Sequence, residues 1–361
     1  MITRLSITLL AAAAAIAEAQ PEQPLMPERK GYVVVTDTVK ADGKTDVSDA
    51  LQALIAANPN RTLFFPDGVY LLSKPLCTPA EPTKSVDLQL SNYAVLKAKV
   101  DGWPEGEPVV RLGGIHPANN IRTIGHLYSI TGGVIDGGNV ADGVSIDSGR
   151  ETVVKQINIK NTRVGLHIRR GANNGSSDAD ITNVNIVGNG KTDSVGVIVD
   201  GSDNTLTNMR IAHVFTGVIV RGGSNMLRNI HPLYTSNYEN YEESCGFRNY
   251  SAHTKFDFCY SDNFGISFYE SNNASAIYDC CQAWWYSPKA TKQVVFKTDG
   301  SFDAVVTNMR VGFRGDQTYH MILDEKKPGG HGVFLYMHVK PDTINEKERT
   351  FEKYVKTDYY R

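Results

Sequence analysis

The sequence predicts an all-β fold, a parallel β-helix with a short capping helix near its N-terminus. From about residue 121 onward, segments of five to seven residues rich in β-branched side chains alternate with Gly, Asn and Asp, as short strands alternate with turns. The segments TNVNI (182–186), TNMRI (207–211) and TNMRV (307–311) are near copies at offsets of 25 and 100 residues. Such a repeat without intervening helices is typical of a parallel β-helix, because leucine-rich and propeller repeats need other frameworks.

Two sets of strands recur within each repeat. The first set is centred on apolar positions predicted to point inward: Ile157, Val184, Met209, Ile230, Cys259, Cys281 and Met309. The second set consists of five β-rich segments: VGLHI (164–168), VGVIV (195–199), TGVIV (216–220), FGISF (264–268) and QVVFK (293–297). Two interleaved sets predict two parallel sheets wound as one coil, with neighbouring coils about 4.8 Å apart.

The first nineteen residues have the pattern of a secretory signal peptide. Arg4 supplies the positive start, residues 5–16 form an apolar run, and Ala17-Glu18-Ala19 is a small-x-small cleavage site. We therefore expect cleavage after Ala19 and a secreted or periplasmic protein. The stretch 20–30 is rich in Pro, Glu and Gln and is predicted to be a linker.

The elements that precede the coils follow from local signals. A short strand is predicted over 31–36, and the N-cap signal in 46–49 predicts an amphipathic helix that runs to residue 57. Strands are predicted over 62–65 and 69–72, on either side of a Pro-Asp-Gly turn. We expect the helix to cover the open N-terminal end of the coil, where strand edges would otherwise be unpaired.

One β-helix domain is predicted over residues 31–340. The last residues, 341–361, are dense in Lys, Glu and Tyr and depart from the repeat. They are expected to cap the other end of the coil or to contact a second copy in a homo-oligomer.

Composition excludes several classes of partner. The 361 residues include 37 Lys and Arg against 39 Asp and Glu, and the net charge of −2 offers no bulk positive field for nucleic acid or an anionic membrane. Beyond the signal peptide no stretch approaches the roughly 18 apolar residues of a transmembrane segment. The five cysteines are odd in number and fit no zinc spacing, and Cys259 and Cys281 are predicted to be buried hydrophobes.

The run VKADGKTDVSDALQALIAANPNRTLFFPDGVYLLSKPL (39–76), followed by GGVIDGGN (132–139), resembles the pectate-lyase-like superfamily, which includes rhamnogalacturonases, alginate epimerases and phage tailspikes. The resemblance implies a single-stranded right-handed parallel β-helix that acts on polysaccharide. The Asn-Thr-Asp, Asp-Asp and His-Gly set of the polygalacturonase branch is absent, which argues against an inverting polygalacturonase.

Strand alternation places two strips of polar and aromatic side chains on the outside of the coil. The first strip is Asn158, Asn185, Arg210, His231, Tyr260, Gln282 and Arg310. The second strip is Arg169, Asp200, Arg221, Tyr250, Tyr269 and Lys297. Guanidinium groups pair with carboxylates or sulfates while Tyr rings stack on sugars, so both strips suit an acidic polysaccharide. The residues predicted to bind substrate are Arg169, Arg221, Tyr250, Tyr269, Lys297, Gln282 and Arg310.

Two chemistries remain open for catalysis. A polysaccharide lyase needs a cation for the uronate carboxylate and a base for the C5 proton, roles that Arg210, His231 and Tyr260 could fill. A glycoside hydrolase needs two carboxylates about 5 Å apart for retention or about 6.5 to 9.5 Å apart for inversion. Asp200 with Glu239 or Glu242 is the candidate pair. The lyase is favoured because the strips are rich in cations, and a noncatalytic glycan-binding or adhesion β-helix is the third alternative.

Other features have structural or binding interpretations. The irregular segment 231–251 interrupts the repeat and is expected to overhang one strip. Recurrent turn asparagines are predicted to satisfy backbone groups: Asn183, Asn208, Asn229 and Asn308. A calcium ion (Ca²⁺) could be held by four turn aspartates, although they form no recognised loop: Asp178, Asp180, Asp200 and Asp203. The run 284–286, Trp-Trp-Tyr, is interpreted as a stacking platform for a sugar.

Overall fold

Short parallel strands form a coil in which each turn contains three strands. The structure is a computed structural model that describes residues 31–80, 84–114, 128–147, 149–170, 176–235, 240–286, 293–314, 320–324, 332–337 and 357–359. The signal peptide, the linker and most of the C-terminal tail lie outside these residues and stay predictions. Among the described residues no helix is long and apolar enough to cross a bilayer.

The strands form three hydrogen-bonded parallel ladders, here called A, B and C. Ladder A contains Tyr32–Val34, Arg61–Phe65, Val86–Leu90, Ser129–Thr131, Val153–Lys155, Asp180–Thr182, the first halves of Thr205–Ala212 and Met226–Leu233, Ala252–Asp257, Ser275–Asp279, Val305–Thr307, Val333–Met337 and Thr357–Tyr359. Ladder B contains Asp42–Asp46, Gly68–Leu72, Ala94–Ala98, Val134–Asp136, Asn158–Thr162, Asn185–Gly188, the second halves of the two long strands, Tyr260–Asp262, Gln282–Trp285 and Arg310–Phe313.

Ladder C forms a sheet of its own. Its strands are Leu76–Cys77, Pro108–Leu112, Asp142–Ile146, Val164–Ile168, Val195–Val199, Thr216–Val220, Cys245–Asn249, Ile266–Glu270, Val294–Thr298 and His320–Asp324. A separate pair joins Gly149–Arg150 to Ser176–Ser177, and 3-10 turns lie at Val35–Asp37 and Tyr241–Glu243. The parallel β-helix is confirmed. Each repeat, however, contains three strands where two were expected. The strands of ladders A and B belong to one large sheet, and the sequence had indicated only one strand there.

From residue 153 onward, ladders A and B are joined by a turn with one residue in the left-handed conformation. This residue is most often Asn, which tolerates positive φ better than other non-glycine residues. The turn residues are Gln156, Asn183, Asn208, Asn229, Phe258, Cys280 and Asn308, all with φ between 52° and 55°. The Asn229 side chain donates to Oδ1 of Asn208 at 2.8 Å, so stacked turn residues also bond to each other. Such a short turn makes the two strands read as one segment in the sequence.

The predicted helix, α1, forms over Ser48–Ala57. The backbone N–H and the hydroxyl of Ser48 both donate to Asp46, which orders the start of the helix, and Leu51 and Ile55 are buried. The Gln52 side chain bonds both the N–H and the carbonyl of Cys77, in the first strand of ladder C. The role of α1 as a cap over the open end stays a prediction.

Inward side chains of the three ladders form one continuous core. The predicted inward positions of the first set are all fully buried: Ile157, Val184, Met209, Ile230, Cys259, Cys281 and Met309. In ladder C the rings of Phe247, Phe268 and Phe296 stack on successive coils with centroids 5.2 and 5.3 Å apart. The five cysteines are free thiols, and burial raises the pKa of Cys281 well above its ordinary value, as expected for an inert core side chain.

One carboxyl group lies inside this apolar core. Glu270 is completely buried, and its carboxyl accepts hydrogen bonds from Tyr278 Oη at 2.6 Å, Asn249 Nδ2 at 3.0 Å and the Ala276 N–H at 3.0 Å. Burial raises the pKa of Glu270 from 4.5 to about 7, although these hydrogen bonds act in the opposite direction. The folded protein therefore favours the protonated carboxyl at mildly acidic pH.

We expect the free energy of unfolding to fall as the pH rises from about 5 to about 8. The unfolded chain loses the Glu270 proton near pH 4.5 and the folded chain near pH 7, so between these values only the folded state holds it. The free energy of unfolding is expected to fall by about 3 kcal/mol in total. The measurement is guanidinium-induced unfolding at a series of pH values between about 5 and 8. Glu270→Gln cannot titrate and is expected to flatten this part of the curve; an unchanged slope in that variant would contradict the assignment.

Candidate functional site

The second strip does not form one column. Arg169, Asp200, Arg221 and Tyr250 each follow the last residue of a ladder C strand and stack on successive coils. Tyr269 and Lys297 instead lie within their strands, two positions earlier, in register with His167 of a lower coil. The expectation of a single aligned strip on this face is therefore wrong.

Charges at this edge of ladder C are neutralised within the protein. Arg221 Nε lies 2.6 Å from Asp200 Oδ1, His167 Nε2 lies 2.8 Å from Asp200 Oδ2, and Arg169 Nε lies 3.2 Å from Asp147 Oδ1. Burial alone would raise the pKa of Asp200, but hydrogen bonds from His167 and Arg221 outweigh it and lower that pKa. The lowered pKa favours the ionised form of Asp200, which is unsuited to donate a proton.

The aromatic residues of the second strip differ in accessibility. Tyr269 is only 9% exposed, because it packs outside the sheet with Cys245, Ile266 and Val294. Tyr250 is 40% exposed, and its ring centroid lies 5.3 Å from that of Tyr269. One of the two tyrosines is therefore able to offer a ring face to a ligand.

The structure does not bring the candidate carboxylate pair together. Asp200 follows the C-terminal end of a ladder C strand, whereas Glu242 precedes the N-terminal end of the strand Cys245–Asn249. A strand of five residues spans roughly 16 Å, well beyond the separation that a glycoside hydrolase needs. The second partner considered, Glu239, lies outside the described residues.

The first strip is a single column on ladder B, as predicted. Asn158, Asn185, Arg210 and His231 are successive register partners, and Tyr260, Gln282 and Arg310 continue the column. The rings of His231 and Tyr260 stack with centroids 4.2 Å apart and an interplanar angle of 17°, which joins the two halves. This column presents a basic, an imidazole and a phenol group on three adjacent coils.

A carboxylate that sequence reasoning missed completes this group. Asp262 lies two residues after Tyr260 on the same outward face, and its Oδ2 is 3.4 Å from His231 Nε2. Burial, followed by the charge of Asp262 and a hydrogen bond to it, raises the pKa of Tyr260 well above its ordinary value. Side chains two residues apart in a strand point to the same face, so Asp262 could have been predicted to lie beside Tyr260.

Arginines of the first strip are not neutralised. Among the described residues neither Arg210 nor Arg310 has a carboxylate oxygen within 4 Å, and Arg210 Nη1 donates only to the carbonyls of Met209 and Asn229, at 3.1 and 3.5 Å. Both side chains are exposed. The column therefore holds uncompensated positive charge on both sides of His231 and Tyr260.

The interrupting segment is fixed to the coil by its own aromatic residues. Tyr234 and Tyr241 meet edge to face at 5.0 Å, and Tyr234 also packs on Phe264. The Tyr241 hydroxyl donates to the carbonyl of Asn263 at 2.8 Å. The described part of the segment thus lies between ladders B and C, beside the coils that carry His231 and Tyr260.

The proposed calcium ligands do not assemble. Within the described ranges no group of three or more His, Cys, Asp or Glu side chains is placed to hold a metal ion. Asp178 is paired with Arg150 at 2.6 Å, and Asp200 is paired with Arg221. Asp178 and Asp200 are thus engaged in ion pairs, and the described residues do not support the predicted Ca²⁺ site.

Comparisons with known proteins show likeness in fold. No family model and no curated protein matches the chain. The tailspike protein of E. coli bacteriophage HK620 matches with a TM-score of 0.60 and 11% identity, over 87% of this chain and 67% of that one. The Streptococcus pneumoniae surface protein and adhesin PfbA matches with a TM-score of 0.53 and 12% identity, over 91% and 95%. An alginate lyase from Paenibacillus matches with a TM-score of 0.50 and 16% identity, over 82% and 97%.

These likenesses confirm the right-handed parallel β-helix that the resemblance to the pectate-lyase-like superfamily implied. At 11 to 16% identity they establish the fold alone. The chain spans 62% of the length of a Geobacillus virus E2 protein and 64% of that of a GH87 alpha-1,3-glucanase from Streptomyces thermodiastaticus. The HK620 tailspike is also known in complex with a pentasaccharide. Proteins of this fold thus include a lyase, a hydrolase, an adhesin and tailspikes.

Proposed function

We propose that this chain is an exported polysaccharide lyase that cleaves a uronic-acid-containing glycan by β-elimination along the first strip. The observation that carries the proposal is the difference in arginine pairing between the two faces. Arg210 and Arg310 lack a carboxylate partner among the described residues, whereas Arg221 is paired with Asp200. An unpaired guanidinium is available for the carboxylate of a uronate.

The column supports each step of the elimination. Arg210, next to His231, neutralises the uronate carboxylate and so lowers the pKa of the proton on C5. His231 accepts this proton as general base. A double bond then forms between C4 and C5, the bond from C4 to the leaving oxygen breaks, and Tyr260 donates its proton to that oxygen. The raised pKa of Tyr260 keeps the phenol protonated, which suits this role.

Neighbouring features agree with this proposal. The predicted signal peptide, cleaved after Ala19, would deliver the enzyme to extracellular or periplasmic glycans. The coil spacing of about 4.8 Å is close to the length of one sugar ring, so a chain lying along the column would place one residue per coil. Hydrolysis has less support because Asp200 and Glu242 lie at opposite edges of ladder C.

The mature chain is expected to release unsaturated products from at least one uronate polymer. The experiment incubates it with polygalacturonate, alginate, glucuronate-containing glycans and neutral glucans, and follows ultraviolet absorbance and reducing ends together. Both signals should rise together on an acidic substrate. Reducing ends without absorbance would establish a hydrolase, and retention on an acidic glycan without either signal would establish a binding module; both overturn the proposal.

A pair of arginine variants locates the activity. Arg210→Gln is expected to lower kcat/KM by about a hundredfold or more, because it removes the charge that stabilises the developing enolate. The matched variant Arg221→Gln changes the same side chain on the other face, where Asp200 keeps His167 as a partner. It is expected to retain nearly full activity. The reverse outcome would place the groove on ladder C.

A further inference from the structure

Beyond His231 and Tyr260 the first strip continues into a cluster of aromatic rings and guanidinium groups. Trp284 is the register partner of Asp262 on the next coil, and Gly312 is its partner one coil further. Tyr286 and Arg314 follow the ends of the same two strands. None of these four residues takes part in the proposed elimination.

Trp284 lies along the surface of the sheet. A Cβ on Gly312 would come within 2.4 Å of Cζ3 and 2.5 Å of Cε3 of Trp284, so the benzo edge of the indole occupies the space that a side chain would fill. The ring is half-buried in this position. Trp285, by contrast, is completely buried and donates its indole N–H to the carbonyl of Phe264 at 2.6 Å, so it belongs to the core and not to a stacking platform.

Arg314 is held beside an exposed ring. Its Nη1 donates to Tyr286 Oη at 2.7 Å, and its guanidinium carbon lies 5.2 Å from the centroid of that ring. Tyr286 is 56% exposed, and its backbone N–H donates to Asn263 Oδ1 at 2.6 Å. Among the described residues no carboxylate oxygen lies within 4 Å of either Arg310 or Arg314, unlike the paired Arg221. The cluster therefore combines oriented rings with uncompensated positive charge.

We propose that Trp284, Tyr286, Arg310 and Arg314 form a subsite for one anionic sugar of the glycan, adjacent to the cleavage position. The sugar ring packs on Trp284, and its carboxylate or sulfate binds Arg314 and Arg310. Trp284 is one coil, or about 4.8 Å, from its register partner Asp262, which lies two residues after Tyr260. This coil spacing matches the step to the next sugar. This subsite rests on the proposed function, because it assumes that the glycan lies along the first strip. It adds a second position at which the protein recognises a negative charge of the glycan.

The test measures binding to the full mature chain carrying His231→Ala, which keeps the ligand intact. The ligands are oligogalacturonates, oligoalginates, sulfated oligosaccharides and neutral malto-oligosaccharides of equal length, and the signals are tryptophan fluorescence and calorimetry. We expect an anionic oligosaccharide to bind with a change in fluorescence and the neutral ones to bind at least tenfold more weakly. Preference for uronate or for sulfate identifies which anion the subsite takes.

Variants separate the subsite from the reaction. Arg314→Gln and Trp284→Ala are each expected to weaken binding about tenfold, the effect of one charge-assisted hydrogen bond or one stacked ring. The control Arg221→Gln should bind as the parent does. Equal binding by Arg314→Gln and the control, or equal binding of neutral and anionic ligands, or no binding at all, would overturn the subsite.

The two proposals fail in distinguishable ways. Loss of binding in Arg314→Gln together with absence of turnover by the wild-type chain would support the subsite and overturn the lyase. Turnover by the wild type with binding unaffected by Arg314→Gln and Trp284→Ala would support the lyase and overturn the subsite.

Discussion

His231→Ala is expected to lower kcat by about a hundredfold to ten-thousandfold, the usual contribution of a positioned general base. Tyr260→Phe is expected to have an effect of similar size, because it removes the proton donor while it leaves the ring stacked on His231. The measurement is the initial rate of ultraviolet absorbance increase on the best uronate polymer. KM should change much less than kcat, since the recognition of the glycan by arginine and aromatic side chains is retained.

The chain offers a matched control on its other face. His167 resembles His231 in being partly exposed and in contacting an aspartate, Asp200, at 2.8 Å, but it lies on ladder C. His167→Ala is expected to retain turnover near the wild-type value. Loss of activity in this variant, with His231→Ala unaffected, would show that ladder C forms the groove.

The largest effect on stability is expected for Phe268→Ala, which should lower the free energy of unfolding by about 3 to 5 kcal/mol. Phe268 is completely buried, stacks between Phe247 and Phe296, and meets Tyr278 edge to face. Its neighbours lie on rigid ladders and are unable to close the resulting cavity. The measurement is the guanidinium midpoint followed by circular dichroism.

Phe258→Ala is the corresponding control for stability. Phe258 is 53% exposed, and its main contact is the Arg228 guanidinium, 6.0 Å from the ring centroid. Removal of this ring is expected to lower the free energy of unfolding by less than about 1 kcal/mol. Equal losses in the two variants would show that burial of Phe268 in the aromatic stack contributes no more than a half-exposed ring at the surface.

The coil and the first strip could be predicted because their signals are local and periodic. Alternation along a strand separates inward from outward residues, and the repeat aligns Arg210, His231 and Gln282 on different coils. No knowledge of loop conformation is needed for that alignment. The buried first-set residues Met209 and Cys281 confirm the same reasoning from the inside.

The second strip could not be predicted because its geometry depends on interactions between coils. Tyr250 lies beyond its strand and Tyr269 within its own, a difference of two register positions. The partners of Arg169 and Arg221 come from neighbouring coils, so their neutralisation is visible only in three dimensions. Ladder A was missed for another reason: a turn of one residue leaves no break of Gly or Pro before ladder B.

The one-residue turn between ladders A and B fixes the position of the first-strip residues along the chain. On each of these coils the strip residue comes two positions after the left-handed one, as in Asn208 and Arg210, Asn229 and His231, or Phe258 and Tyr260. Differences in coil length are therefore taken up at the other two corners, away from this spacing. Loops between ladders B and C can therefore change in length while the outward side chains of the first strip keep their spacing.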